Sequence, residues 1–388
     1  MESTVKSTVE RRQGASQKAL NATEDMTILV SQYIERCIGC HRCMDACPAT
    51  KGTFTIEELN EASKPGTKVP QVIAEFAFNC MQCGKCIPVC PVNIHRDSMV
   101  LYVKHKLRKQ KPYHYSRYLL IKGRKRPSLA RIAQGLYIGM KKMMTRDLAR
   151  FMETSPQKKT DVVFYPGCYL YSTETVRRTL RLLDAVGCSY SVLGGVTACC
   201  GAPHRLQGEF AEAERCLELL HQKVKTVNPQ IVITACAECF EEMNRLKTVY
   251  HEKFEVQSVA QYLLKQMKTM PKRKIRGKIV VHDSCRFSKS PQESAAQEIA
   301  AVFGELVDAS LGQVSSCCAL WNHGNDPGNA ARRRAFLRKV KEAAPTLACN
   351  CLTCYEELKK GDADIEIIDV LQLFEEALDA TPKGGKKK

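Results

Sequence analysis

The sequence predicts two fold classes in one chain: an α+β N-terminal helical module and, after a basic connector, two tandem α/β domains. Three observations predict it. Cysteines repeat at a displacement of 43 residues near the N-terminus and at displacements of 115 to 118 residues further on. Short apolar strands alternate with helical periods beyond residue 160. The excess positive charge is collected in the segment between the two cysteine-bearing parts.

At 388 residues the chain has room for two or three domains and an ordinary core, so it does not need disulfides to fold. Its 26% charged and 44% apolar residues exclude a disordered polymer. No apolar run of about 18 residues exists, which predicts no membrane-spanning helix. The N-terminal residues are polar and show no signal-peptide pattern, so the expected location is cytoplasmic, with any membrane association made through partners. In that reducing setting, 21 cysteines are expected as metal ligands or redox thiols.

The domains expected are an N-terminal extension (1–29), a first cysteine module (30–103), a basic connector (104–160), two α/β domains (161–272 and 273–377) and a Lys-rich tail (378–388). Residues 1–103 carry 11 basic and 11 acidic side chains, whereas 104–159 carry 17 and 2. Within the connector, Leu129, Ile132, Leu136, Met140 and Met143 have the spacing of one amphipathic helix. Its charge, including Arg124, Lys125 and Arg126, fits a solvated linker, or docking to an acidic partner or an anionic membrane surface. No nucleic-acid-binding module is recognisable, so no nucleic-acid partner is expected.

In the first module Cys37, Cys40, Cys43 and Cys47 recur as Cys80, Cys83, Cys86 and Cys90, with Pro48 and Pro91 closing the two runs. The spacing Cys-x2-Cys-x2-Cys-x3-Cys-Pro places three thiolates on one cubane 4Fe–4S cluster and sends the fourth to the other. One cubane is therefore expected on Cys37, Cys40, Cys43 and Cys90, the other on Cys80, Cys83, Cys86 and Cys47. Gly39 and Gly84 are expected to let the backbone approach the inorganic sulfides. Zinc, the competing reading, favours separated Cys-x2-Cys pairs.

In the α/β part the expected order is strand Asp161–Tyr165, helix Glu174–Ala185, strand Tyr190–Leu193, helix Glu209–Lys223 and strand Gln230–Thr234. It repeats as Lys278–His282, Ala295–Phe303, Leu306–Val307, Ala330–Ala343 and Thr346–Ala348. Cysteines follow the same repeat: Cys168, Cys199, Cys200, Cys236 and Cys239, then Cys285, Cys317, Cys318, Cys351 and Cys354. They fall at strand ends and in the loops that follow, where open α/β sheets place ligands. Vicinal cysteines suit one tetrahedral zinc poorly, and soft thiolates select iron–sulfur chemistry or zinc.

This pattern resembles the CCG-domain (cysteine-rich domain) family, found in heterodisulfide reductase and in iron–sulfur subunits of glycolate oxidase and anaerobic glycerol-3-phosphate dehydrogenase. The first module resembles the two-cluster ferredoxin-like unit fused ahead of such domains. The resemblance implies a noncubane 4Fe–4S cluster on each five-cysteine set, with one cluster plus zinc as the alternative. Ala319 stands where the first set has Gly201, a departure that leaves the second site's geometry open. The resemblance further implies an iron–sulfur electron-transfer subunit of a larger, anaerobic oxidoreductase complex. Its partners would be a flavoprotein or other iron–sulfur subunits. The alternatives are a catalytic disulfide reductase and a zinc-stabilised scaffold.

In the reductase reading Cys200 and Cys318 are the candidate catalytic thiols. His204 and His323, four and five residues after the vicinal pairs, are the candidate proton donors; a plain loop hydrogen bond is the competing role for each. Cys188, Cys216 and Cys349 are expected as buried inert thiols, Cys349 being close enough to Cys351 to compete as a ligand. No Gly-x-Gly-x-x-Gly follows a strand, so no flavin or NAD is expected on this chain.

Overall fold

The computed structural model describes residues 24–50, 53–110, 160–167, 174–194, 198–266, 274–287, 295–307, 318, 327–361 and 364–379. Cys168, Cys317, Ala319, His323 and the connector beyond residue 110, with its expected amphipathic helix, lie outside the described residues. The chain divides into two compact bodies. One comprises Met1–Ile138 with Cys199–Gln222, the other Gly139–Ala198 with Lys223–Lys388.

The first body is helical. A helix over 24–36 (α1) is followed by α2 (Arg42–Asp45), α3 (Ile56–Ser63), α4 (Gln71–Asn79) and α5 (Arg96–Gln110). Helix α3 starts where Thr55 accepts from the Glu58 N–H while the Glu58 carboxylate accepts from the Thr55 N–H, a capping box that satisfies two end donors. Ile56, Leu59, Ile73, Phe76, Val100 and Val103 meet in one buried cluster between α3, α4 and α5. Val30, Ile94, Met99 and Tyr102 form a second cluster under α1. Both clusters are lined by cysteines, so packing and thiol placement are set together. Segment 199–222 adds α7 (Ala202–Arg205) and most of α8 (Phe210–Val227).

The second body holds two four-stranded parallel sheets of the same topology. The strands are β1 (Val162–Gly167), β2 (Tyr190–Gly194), β3 (Ile231–Thr234) and β4 (Glu255–Ser258), then β5 (Lys278–His282), β6 (Glu305–Leu306), β7 (Thr346–Cys349) and β8 (Glu366–Asp369). Their orders are β2-β1-β3-β4 and β6-β5-β7-β8. Parallel neighbours need crossover connections, which α6 (Glu174–Ala185), α9 (Ala237–Val249), α11 (Ala295–Phe303), α12 (Pro327–Ala343) and α13 (Leu352–Leu358) supply with α8. Helices α10 (Val259–Gln266) and α14 (Leu371–Asp379) follow the last strand of each sheet.

Expected and observed elements agree within two residues at most ends, and α6, β5 and α11 have the expected bounds. The last strand of each sheet, β4 and β8, was not among the expected elements. Their sequences, EVQS and EIID, are too short and mixed to show a period.

Helices α6, α10, α11 and α14 pack on one another, α6 and α10 from the first half against α11 and α14 from the second. Leu183, Leu263, Ile299 and Leu373 are fully buried in a core cluster that the two halves share. Burying each such side chain contributes about 1.5–3 kcal/mol, so this layer is what holds the halves together. Among the described residues no helix is long and apolar enough to cross a membrane.

Candidate metal centres

In the first body both cysteine loops bend the same way. Gly39 and His41 in the first loop and Gln82 and Gly84 in the second adopt left-handed backbone at matching positions, two and four residues after the first cysteine. The repeat is therefore one of backbone shape as well as spacing. His41 is half-exposed beside Glu57, its Nε2 at 3.4 Å from the carboxylate.

The shape groups the thiols across the loops. Burial pushes Cys80 up to about 12, with Lys104 opposing and Cys47 and Cys83 adding to the rise. Burial also pushes Cys86 up, reinforced by Asp97, Cys80, Cys83 and Cys47. Cys43 is raised by burial, with Arg96 opposing and Cys37 and Cys90 adding. Cys47 thus stands with Cys80, Cys83 and Cys86, and Cys90 with Cys37 and Cys43. Cys40 is the exposed member of the first loop.

Crowded buried thiols cannot all ionise unaided, but a cationic cluster supplies the charge that their thiolates need. Donors aimed at sulfur fit the same occupant. The Ile94 N–H donates to Cys90 Sγ (3.2 Å), Gln82 Nε2 to Cys80 Sγ (3.3 Å) and Arg96 Nη2 to Cys37 Sγ (3.4 Å). Cys37 is the thiol held below its ordinary value. Burial works against this, but donors from Asn60, the Gly39 backbone and Arg96 outweigh it. Hydrogen bonds to sulfur are the means by which a protein tunes such clusters.

The vicinal pair Cys199–Cys200 is buried, and the Gly201 N–H donates to Cys199 Sγ (3.4 Å). Gly201 is left-handed, and a Cβ there would stand 2.7 Å from the Ala213 carbonyl oxygen, so only glycine fits. One turn on, His204 is buried, its Nδ1 donating to Glu209 Oε2 (2.6 Å), and Glu209 in turn pairs with Arg108 on α5. The Nε2 of His204 has no hydrogen-bond partner among the described residues.

In the second body the two Cys-x2-Cys loops meet. Cys236 is the N-cap of α9 and Cys351 that of α13, with nearly identical backbone angles. The Ala237 N–H donates to Cys351 Sγ (3.4 Å), the Leu352 N–H to the Ala235 carbonyl (2.9 Å), and Thr353 Oγ1 lies 3.5 Å from Cys236 Sγ. Hydrogen bonds from Cys239 and Cys351 hold Cys236 well below its ordinary value. Hydrogen bonding to Cys236 drives Cys351 up to about 12. Cys354 is raised by its contacts with Cys318 and Cys351 and by burial.

Cys349 joins this group: burial raises it, and Asp369, Cys351 and Cys318 add to the rise. Cys285 is buried just beyond β5, next to Arg286, which pairs with Glu238 and Glu241 of the first half. Among the described residues no group of three or more His, Cys, Asp or Glu side chains is disposed to hold one metal ion.

Sequence reading passed over Lys104, Arg96, Glu209 and Arg286 as functional residues. Charged side chains in a basic chain read as surface, and no spacing marks them otherwise. Cys216 is buried against Gly201, and Cys188 lies 3.1 Å from the Tyr262 hydroxyl.

Residues 36–94 match the family model of a 4Fe-4S dicluster domain, and residues 162–244 match that of the cysteine-rich domain. No curated protein and no solved structure matches the chain. The two matches each cover one segment of the chain and support kinship with the CCG-domain iron–sulfur oxidoreductases. Iron–sulfur domains of these two kinds support a redox role in electron transfer.

Proposed function

We propose that the chain is the iron–sulfur electron-transfer subunit of a larger oxidoreductase complex, with a flavoprotein or another iron–sulfur subunit as its partner. In this reading Cys37, Cys40, Cys43 and Cys90 hold one cubane 4Fe–4S cluster and Cys80, Cys83, Cys86 and Cys47 the other. Noncubane clusters fall to the two five-cysteine sets, the second α/β half acting as a second CCG domain. The observation that supports the reading is that Cys47 bears electrostatically on Cys80 and Cys86 of the other loop, and Cys90 on Cys43. Bound there, such clusters supply one-electron transfer at potentials that hydrogen bonds and burial adjust. The chain's own part is to shield the sulfurs and to aim donors such as Ile94 N–H and Gln82 Nε2 at them.

Iron and acid-labile sulfide analysis of anaerobically purified protein, with EPR of oxidised and reduced states, tests this. About sixteen irons per chain are expected if all four sites fill, and about eight would confine the clusters to the first body. A colourless, iron-free or zinc-only protein would refute the reading.

A second reading, a disulfide reductase, is favoured by His204. Cleaving a disulfide consumes two electrons and two protons, and a buried imidazole backed by Glu209 beside the vicinal pair is suited to pass a proton. Reduced viologen with a panel of disulfides should show turnover that Cys200→Ala, Cys318→Ala and His204→Gln each abolish or sharply reduce. No turnover with any disulfide leaves conduction alone.

A further inference from the structure

Helix α5 carries two lysines of opposite circumstance. Lys106 reaches the carbonyls of Ala62 and Lys64 and the Thr67 hydroxyl near the surface. Lys104 is 2% exposed, and its Nζ donates to the carbonyl oxygens of Cys80 and Leu206, each at 3.3 Å. Cys80 opens the second cubane loop, while Leu206 belongs to the segment that starts with the vicinal pair.

The surrounding contacts hold that segment on α5. His105 Nδ1 pairs with the Gly208 carbonyl (2.8 Å), and its ring stacks on Phe210. Arg108 Nε donates to the Gln207 carbonyl (3.1 Å). Gly208 is left-handed and lies so close to α5 that a Cβ would be 2.5 Å from the His105 nitrogen. The ammonium is therefore fixed in place.

Two carbonyl oxygens could be satisfied by a neutral amide. An ammonium at the same place carries a desolvation cost that a glutamine would not. What it adds is charge. A site gaining an electron becomes one charge more negative, and a cation a few ångströms away in a poorly screened interior stabilises that state. We propose that Lys104 is a redox-positioning residue that raises the reduction potential of the cluster held by Cys80, Cys83, Cys86 and Cys47. The inference rests on the electron-transfer reading above. Arg96, also buried on α5, donates to Cys37 of the other set, so each thiolate set has its own cation from one helix.

The test is an EPR-monitored redox titration of the full chain, comparing Lys104→Gln and Lys104→Met with Lys106→Gln, which removes one charge from the same helix. The expected result is full iron content, a downward shift in one cubane signal for both Lys104 variants, and unmoved signals for Lys106→Gln. Iron-loaded Lys104 variants with unshifted potentials would overturn the proposal while leaving the electron-transfer reading intact. An equal shift from Lys106→Gln would overturn it too, since the effect would then be one of net charge. If neither neutral variant takes up iron, Lys104 belongs to folding and the proposal fails. Absence of cubane signals from the unaltered chain would defeat the electron-transfer reading, and this inference with it.

Discussion

The two α/β halves share strand order, parallel register and paired Cys-x2-Cys N-caps, yet their charges are not duplicated. Across the helix layer the first half supplies cations and the second acids: Arg178 reaches Asp369 and Glu375, and Arg181 reaches Glu375. At the cysteine end the direction reverses, with Arg286 of the second half facing Glu238 and Glu241 of the first. The N-cap thiols differ as well, Cys236 low and Cys351 high, although their backbones superpose in angle. A repeated scaffold can thus place two sites alike while buried charges such as Arg178 and Arg286 are met by the other half. The pairing between halves is directional, so neither half could pair in this way with a copy of itself.

The largest test of that directionality is Arg178→Met. It strands Asp369, whose side chain is 5% exposed, and should cost about 3–5 kcal/mol in equilibrium unfolding. Arg181→Met, at a half-exposed position, should cost under about 1 kcal/mol. Equal costs would mean that the buried pair does not lock the halves.

Next in size is pH. Burial raises Asp283 to about 6, and the first half has Pro166 at the matching position. A carboxyl raised on folding takes up a proton in the folded chain before the unfolded one. Stability of the cluster-free protein should therefore fall as pH rises between about 4 and 6, by at most about 3 kcal/mol. Asp283→Asn should flatten that slope; an unchanged slope would place the effect elsewhere.

The smallest effect concerns the joined N-caps. In cluster-free protein, mild alkylation followed by peptide mapping should mark Cys236 ahead of Cys351. Thr353→Val, which removes a hydroxyl beside Cys236, should narrow the difference at a stability cost of about 1 kcal/mol. Equal labelling of the two thiols in the unaltered chain would remove the asymmetry at this end.

Much of this architecture is legible along the chain. Val176, Leu180 and Leu183 mark α6 because a helical period survives without its neighbours. Strands β4 and β8 are not legible, because four residues at a sheet edge are defined by their partners β3 and β7. The grouping of Cys199–Gln222 with the N-terminal body is not legible either, since the expected first α/β domain, 161–272, contains that segment whole.

What the sequence by itself determines is the kind of donor and its repetition. Thiols separated by two or three residues are tied by covalent reach, and that reach needs no fold to be read. What only the tertiary structure decides is which charge stands beside which sulfur. Lys104 is one basic residue among many until α5 packs under the 199–210 segment. Arg286 and Arg178 are likewise unremarkable until the other half presents its carboxylates. Electrostatic strength depends on distance and burial, and both come from contacts between residues far apart in the chain.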